Sequence, residues 1–372
     1  MIMATNINIT YRILSLFITK GYKKTSSIYS IELDSRWSLH FSYFLLDNIA
    51  MVDINDLKTS YERISNYLVK TPILSSDSLN KKFGANIFLK NEVEQLTGSF
   101  KIRGALSALS HLKNEGVEGV VAFSSGNHAQ GVSKAAQIFD MKAIIVMPKD
   151  APKNKIEKTK GNGAEVVLYE RHVQSREEIA EQIAKEKDYP LVRPFDNPQI
   201  ISGQGSFGLE ACEFFLANDV KPDIVLSCTS GGGLVAGTSI AFKHYFPDSE
   251  IYPVEPLTCN DTQISLENKT RTEIKNHVPT ICDALEVEIP GKITFPINLQ
   301  NCKAGLAVTD EEVCQAMKYL YEEFNIKGEP SGCVSLAAIL SNKIDVKGKN
   351  VLVTISGGNV DDDSFDKYIA SA

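Results

Sequence analysis

Six short, nearly continuous apolar runs are spaced along this chain: Gly119–Phe123, Ala143–Met147, Glu165–Tyr169, Ile224–Ser227, Ile251–Val254 and Asn350–Ile355. Between and after them lie segments of helical periodicity, around residues 127–138, 153–160, 174–186, 205–217, 234–245, 309–325 and 331–341. Strands without polar alternation need cover on both faces, and helices between them supply it, so the spacing predicts an α/β fold with parallel sheets. An amphipathic helix is expected over Asp53–Tyr67, closed by Thr71-Pro72 because proline disfavours helix in the residue before it. A short strand over Ile87–Lys90 comes next. Residues 258–308 show no clear period and read as long surface connections.

In open parallel sheets, ligands sit beyond the carboxyl ends of strands, so the loops after the apolar runs are where chemistry is expected. Ser230-Gly231-Gly232-Gly233-Leu234 lies between a strand and a helix. Its glycines let backbone N–H groups crowd an anion at a helix start, and phosphate is the natural guest. Gly231, Gly233 and Ala236, with Glu255 closing a later strand, equally fit a loose dinucleotide fingerprint. Ser124-Ser125-Gly126-Asn127-His128 offers hydroxyl and amide donors suited to a carboxylate, or plain helix capping. Ser356-Gly357-Gly358-Asn359 repeats the design after the last strand, and Glu329-Pro330-Ser331-Gly332 reads as a helix start. Ahead of the first long helix, Thr97-Gly98-Ser99-Phe100-Lys101 sets a lysine beside an aromatic ring. Shielded there, its amine would be lowered enough to attack a carbonyl; exposed, it would be an ordinary surface lysine.

Composition narrows the partners. With 39 basic and 46 acidic residues the formal net charge is −7, which gives no reason to expect nucleic acid or an anionic membrane. All seven cysteines lie beyond residue 200 without Cys-x-x-Cys spacing, which favours a reducing, cytoplasmic compartment over a disulfide framework. The six histidines are scattered. Residues 1–50 differ from the rest. Up to Ile31 the only charged residues are Arg12, Lys20, Lys23 and Lys24, so the segment reads as an organelle presequence or as an extension before Met51. The apolar run Ile13–Ile18 is too short to span a bilayer.

Taken together, a lysine beside an aromatic, a phosphate cradle, an anion loop and a serine at strand ends suit an aldehyde cofactor that carries a phosphate. At this point the chain resembles the fold-type-II pyridoxal-phosphate enzymes (tryptophan synthase beta-like), specifically the threonine/serine dehydratase and serine racemase family. The resemblance runs from about Asp53 to the C-terminus. It is carried by Ser-Phe-Lys-x-Arg-Gly-Ala, Ser-Gly-Asn-His-Ala-Gln-Gly (125–131), Gly-Gln-Gly (203–205), Ser-Gly-Gly-Gly-Leu, Glu-Pro-Ser-Gly and Ser-Gly-Gly-Asn-Val.

The resemblance implies two domains with parallel-rich sheets covered by helices, a large one from 51–119 and 196–372 and a small one from 120–195. It also implies pyridoxal 5′-phosphate as cofactor. Lys101 would be the residue bonded to it, Phe100 would pack on its ring, Asn127 would donate to its 3′-oxygen, Ser230, Gly231, Gly232, Gly233 and Leu234 would hold its phosphate, and Ser356 would face the pyridine nitrogen. Ser124, Ser125, Asn127 and His128 would hold the substrate carboxylate, with Arg176 nearby. Glu255 and Asp261, with the Cys259 carbonyl, fall where family members bind Mg²⁺ or another divalent cation. The implied activity is deamination of L-threonine and L-serine, in a homodimer or homotetramer. A neutral serine at the ring nitrogen favours β-elimination over transamination.

Within the family, Ser125 matches the racemase serine that can reprotonate Cα from the other side. Phe195 and Val287 instead depart from the racemase asparagine and serine, which tips the balance toward elimination. Serine racemase and 3-hydroxyaspartate dehydratase are the same-family alternatives. A nicotinamide-dependent oxidoreductase and a cofactor-free binding protein are the distant ones.

Overall fold

The computed structural model describes residues 52–372 apart from 152, 172, 276 and 277, so the 1–50 segment lies outside the described residues. Among the described residues nine strands form two sheets. β1 (Ile73–Leu74), β2 (Asn86–Asn91), β6 (Ile224–Cys228), β7 (Glu250–Pro256), β8 (Leu306–Val308) and β9 (Asn350–Ile355) make a six-stranded sheet in the order β1-β2-β9-β6-β7-β8. β3 (Gly119–Phe123), β4 (Lys142–Pro148) and β5 (Glu165–Tyr169) make a three-stranded one. Every neighbouring pair is parallel except β1–β2.

The apolar runs are continuous because both faces are buried. In the smaller sheet Val120, Ala122, Ile145 and Met147 join one core cluster, while Val121, Phe123, Ile144 and Val146 join another. Successive side chains of a strand point to opposite faces, so two packed layers require this arrangement. The larger sheet has its own core, built from Leu226, Leu352 and Val353 and from the helices Pro198–Ala217, Gly233–Tyr245 and Pro330–Leu340.

Most sequence-expected elements form within a few residues of their predicted bounds, and three differences have physical causes. The helix expected from 205 begins at Pro198, where Asn197 accepts from the N–H groups of Gln199 and Ile200. Its early turns are small and buried all round, so no amphipathic stripe marks them. Gly205 and Gly237 let it touch the helix Gly233–Tyr245, since a Cβ on Gly237 would lie 2.6 Å from the Gly205 backbone. The stretch 258–308, expected to be connections, contains two short helices, Asp261–Asn268 and Thr294–Asn301, and β8. The first predicted helix ends at Ile64 and passes into a 3₁₀ turn.

A buried ionic cluster ties these pieces together. Arg103, on the helix Lys101–Asn114, places its guanidinium between Glu92 (Nε–Oε2 2.7 Å) and Glu210 (Nη1–Oε1 2.8 Å). It also donates to Ser206 Oγ at 3.1 Å. Lys90 of β2 reaches Glu210 at 2.8 Å and Thr71 Oγ1 at 2.9 Å. Two cations and two carboxylates cancel, and each is hydrogen-bonded, which is the condition for charge to be tolerated in a core.

Candidate active site

Three parallel strands, β2, β9 and β6, end at one edge of the larger sheet, in register through Asn91–Ile355 and Leu226–Val353. Segments beyond these ends, together with Asn127 from beyond β3 of the smaller sheet, converge on one recess of about 430 Å³, lined by Phe100, Lys101, Asn127, the turn 230–234 and Ser356, among others. An adjoining recess of about 720 Å³ is lined by Lys101, Ser124, Ser125, Asn127, His128 and Arg176, with Phe195 and Val287. The residues singled out from strand-end loops therefore meet in one place. Glu255, Cys259 and Asp261 line neither recess.

Lys101 is the first residue of its helix, and backbone contacts hold it there. The N–H of Phe100 donates to the Ser356 carbonyl at 3.1 Å, and Ser99 pairs with Gly357. The Lys101 amine lies 5.0 Å from the centre of the Phe100 ring and donates to the Pro194 carbonyl at 3.3 Å. Burial pushes the amine down to about 8, against the opposing influence of Cys228 and Glu329. An amine so placed has a sizeable neutral fraction at physiological pH, as a nucleophile or base requires.

The glycine turn is built as an anion cradle. Thr294 Oγ1 and Asn298 Nδ2 donate to the carbonyls of Gly231 and Gly232, at 2.5 and 3.3 Å. The first N–H groups of the helix Gly233–Tyr245, by its geometry lacking intrahelical partners, are left for a ligand. Gly232 sits at φ +90°, and a Cβ on Gly231 would strike the Phe195 ring at 2.2 Å. Only glycine fits these two positions, one for its backbone and one for its closeness to a neighbour. A phosphate on this turn, an aldehyde near Lys101 and an aromatic ring beside Phe100 match pyridoxal phosphate part by part.

Asn127 sits at the start of its helix and donates to Glu329 Oε1 at 2.6 Å, while its own Oδ1 accepts from Asn359 at 2.8 Å. Glu329 belongs to a motif the sequence marks, Glu-Pro-Ser-Gly, but one that by itself reads as a helix start and assigns this carboxyl no role. Burial first, and then Asp283, push its carboxyl up to about 7, with Lys155, Asn127 and Lys101 opposing. Lys155 and Asp283 form an ion pair at 3.4 Å in the second recess.

His128 is held differently from its neighbours in the loop. Its Nε2 lies 2.9 Å from the Val192 carbonyl, so that nitrogen carries the hydrogen and is already used. Burial and then Lys101 push the ring down to about 4. It is neutral at physiological pH and offers no positive charge to a carboxylate. Arg176 opens the helix Arg176–Lys187 with its guanidinium 5.4 Å from the Phe123 ring.

Glu255 and Asp261 form a second, separate cluster. Both are buried, and Glu255 accepts from the N–H groups of Thr262 and Gln263 at 3.1 and 2.8 Å. Neither oxygen of Asp261 has a hydrogen-bond partner. Burial raises both carboxyls, and the neighbouring Glu255 raises Asp261 further. The Cys259 thiol turns toward the Val287 carbonyl at 3.1 Å. Among the described residues no three His, Cys, Asp or Glu side chains converge on one point, so the donors for a cation would be two carboxylates and backbone oxygens.

A family model described as pyridoxal-phosphate dependent enzyme matches residues 64–357. A serine racemase of Schizosaccharomyces pombe is 37% identical over 326 residues, which is 87% of this chain and 99% of the racemase. An L-threonine ammonia-lyase of Thermotoga maritima is 39% identical over 320 residues, 86% of this chain and 78% of the relative. The structure of maize serine racemase superposes with a TM-score of 0.80 at 32% identity, covering 86% of this chain and 97% of that one. The dinucleotide reading of the 231–236 turn has no support from these matches.

Proposed function

The chain belongs to the pyridoxal-phosphate-dependent enzyme family, and from that premise we propose that it is an ammonia-lyase acting on L-threonine and L-serine. The products are 2-oxobutanoate or pyruvate, with ammonia. When bound, the cofactor supplies an aldehyde for the substrate amine and an electron-withdrawing ring next to Cα.

The chain's own residues then have distinct tasks. Lys101 would be the residue that bonds to the cofactor, and its amine, when free, would be placed to take the Cα proton. The N–H and hydroxyl groups of the Ser124–Asn127 loop, at a helix start, hold the substrate carboxylate. Phe100 would pack against the cofactor ring, the 230–234 turn would take its phosphate, Asn127 would serve its 3′-oxygen and Ser356 its ring nitrogen, all of them lining one recess. The observation that carries the choice of elimination is apolar. Phe195 and Val287 share the recess with Lys101, and they suit the methyl group of threonine better than polar groups would.

Incubation of the holoenzyme with L-threonine and L-serine, followed by assay of 2-oxo acids and D-serine, tests the reading. Oxo acid is expected to dominate. D-Serine forming faster than pyruvate would replace the lyase by the racemase, which Ser125 in the same recess favours. Oxo acid released faster from L-threo-3-hydroxyaspartate than from either would favour the dicarboxylate alternative, with Arg176 at its second carboxylate. Any D-serine produced is expected to fall about tenfold or more in Ser125→Ala while oxo acid persists, because only the second proton transfer is lost. Loss of both together would remove Ser125 from that role.

The Glu255–Asp261 pair is assigned here to a divalent cation. With both carboxyls raised, the fold binds their protons more tightly than the unfolded chain does. Without a cation, stability is therefore greatest below the ordinary carboxylate range and declines as pH climbs from there toward 9. A cation replaces the protons and cancels the decline. Magnesium at a hundred times its dissociation constant should add about 2.7 kcal/mol, read as a higher melting temperature at pH 8.5 than in chelator, and a smaller gain at pH 5.5. An equal gain in Asp261→Asn would show that the metal binds elsewhere. The seven unpaired cysteines support a reducing, cytoplasmic setting. Among the described residues no helix is long and apolar enough to cross a membrane.

A further inference from the structure

Among the described residues two lysines line the recess beside the Ser124–Asn127 loop, and the proposed mechanism gives only Lys101 a task. The other, Lys155, stands on the helix Lys153–Gly161, whose Ile156 packs on the core of the smaller sheet. Its amine pairs at 3.4 Å with Asp283, which opens the 3₁₀ turn Asp283–Leu285. Leu285 of that turn belongs to the core of the larger sheet. The two ends of the pair are unequal, since the Lys155 side chain is 14% exposed and that of Asp283 59%. An ion pair this long, with its acid mostly in water, is weak, so the amine can change partner at small cost. A Cβ built on Gly126 would lie 3.8 Å from the same amine, which sets its charge against the backbone of the loop.

The loop lacks a charge of its own. Its donors are neutral, and one is already used, because the Gly126 N–H donates to Ser124 Oγ at 3.1 Å. His128 is neutral and bound to the Val192 carbonyl. Arg176 is engaged on the Phe123 ring, and the Lys101 amine is committed to the cofactor and the Cα proton. Three carboxyl side chains, Asp283, Glu286 and Glu329, share the recess, so an incoming anion is repelled there unless a cation offsets them. We propose that Lys155 is the cation that pairs with the substrate carboxylate on the Ser124–Asn127 loop, and that Asp283 holds its amine until substrate arrives. This rests on that loop being the carboxylate site. Substrate and Asp283 then compete for one amine, and the exchange returns Asp283 to water that it already reaches.

Glycine and glycinamide provide the test. Glycine has the carboxylate and no β-leaving group, and glycinamide puts a neutral amide in its place. Dissociation constants of both for the holoenzyme are read from the absorption of the bound cofactor, in the parent and in Lys155→Met, Lys155→Arg and Asp283→Asn. Lys155→Met should weaken glycine about tenfold or more, the worth of a charge-assisted hydrogen bond, and leave glycinamide within about twofold. Lys155→Arg keeps the charge and should retain most of the affinity. Asp283→Asn frees the amine and should tighten glycine by about two- to threefold, the worth of an exposed pair. The opposite signs are decisive, because a bridge that merely joins the two sheets is broken equally by either variant and would move affinity one way in both. Lys155→Gln takes the place of Lys155→Met if the latter melts lower than the parent. Changes of the same sign, an unchanged glycine affinity without Lys155, or equal losses for glycine and glycinamide overturn the proposal. A parent that binds glycine no better than glycinamide would overturn the carboxylate loop itself.

Discussion

Lys101→Ala is expected to lower oxo-acid formation by roughly a thousandfold or more, because the proposed mechanism asks one side chain for both the bond to the cofactor and the base at Cα. The variant should still bind pyridoxal phosphate, since the 230–234 turn and Phe100 are untouched, but borohydride should no longer fix the cofactor to the protein. Mass spectrometry of the reduced protein reads this directly. The fold should survive. The amine makes a single long hydrogen bond to the Pro194 carbonyl, and alanine is the best helix former at a helix start. The sign of the stability change comes from the lowered amine. Its folded value, about 8, lies below the ordinary lysine value, so at neutral pH the fold bears a cost for holding it charged. That cost persists below pH 8 and fades as pH rises from there toward 10.5. The cofactor-free variant should thus melt no lower than the cofactor-free parent at pH 7. Retained activity, or borohydride labelling of the variant, would move the reactive amine to another residue.

The site was legible where chemistry obeys local rules. Strand-end loops rich in glycine, serine and asparagine mark themselves, and Lys101, Asn127, the 230–234 turn and Ser356 do line one recess. Residues brought there by the chain's long-range path were not legible. Glu329 meets Asn127 across 202 positions of sequence, and the Pro194 carbonyl reaches Lys101 across 93. Nothing local distinguishes either from a capping residue or a loop. The fold divides in the same way. Covered parallel strands announce themselves by composition, whereas the short helices of 258–308 carry no stripe that a period could detect. Their buried positions mix polar Asp261, Thr262, Ser265 and Thr294 with apolar Phe295 and Ile297. Arg103 is the sharpest case. In sequence it is one more charge near a helix start, a type of residue that is ordinarily exposed.

Arg103 instead stands fully buried, and replacing it should be the most costly single change to stability in the molecule. Its five N–H groups reach Glu92 twice, Glu210 twice and Ser206 once, all between 2.7 and 3.1 Å. In Arg103→Ala the two carboxylates would face each other with only Lys90 and Thr71 to share, and the void left by the guanidinium would not collapse easily among packed helices. Removing one partner from such a buried set costs about 3–5 kcal/mol. Arg103→Lys keeps the charge but loses the two-pronged geometry, so it should fall between the parent and alanine. Urea unfolding of the cofactor-free protein would measure both, and Arg103→Met, Glu210→Gln and their double variant would form a cycle on the pair. Removing both charges should recover part of the loss, because the penalty comes from an uncompensated carboxylate rather than from the missing contact. The pH dependence has a definite sign. Arg103, then its hydrogen bond, then Lys90 hold the Glu210 carboxyl below its ordinary value against burial. The parent's stability should therefore be present above the ordinary glutamate range and be lost as pH falls through the folded value, while Arg103→Ala should lose this acid-sensitive portion. A loss below about 1 kcal/mol, the worth of an exposed ion pair, would mean that the cluster is open to water and does not hold β2 to the helices Lys101–Asn114 and Pro198–Ala217.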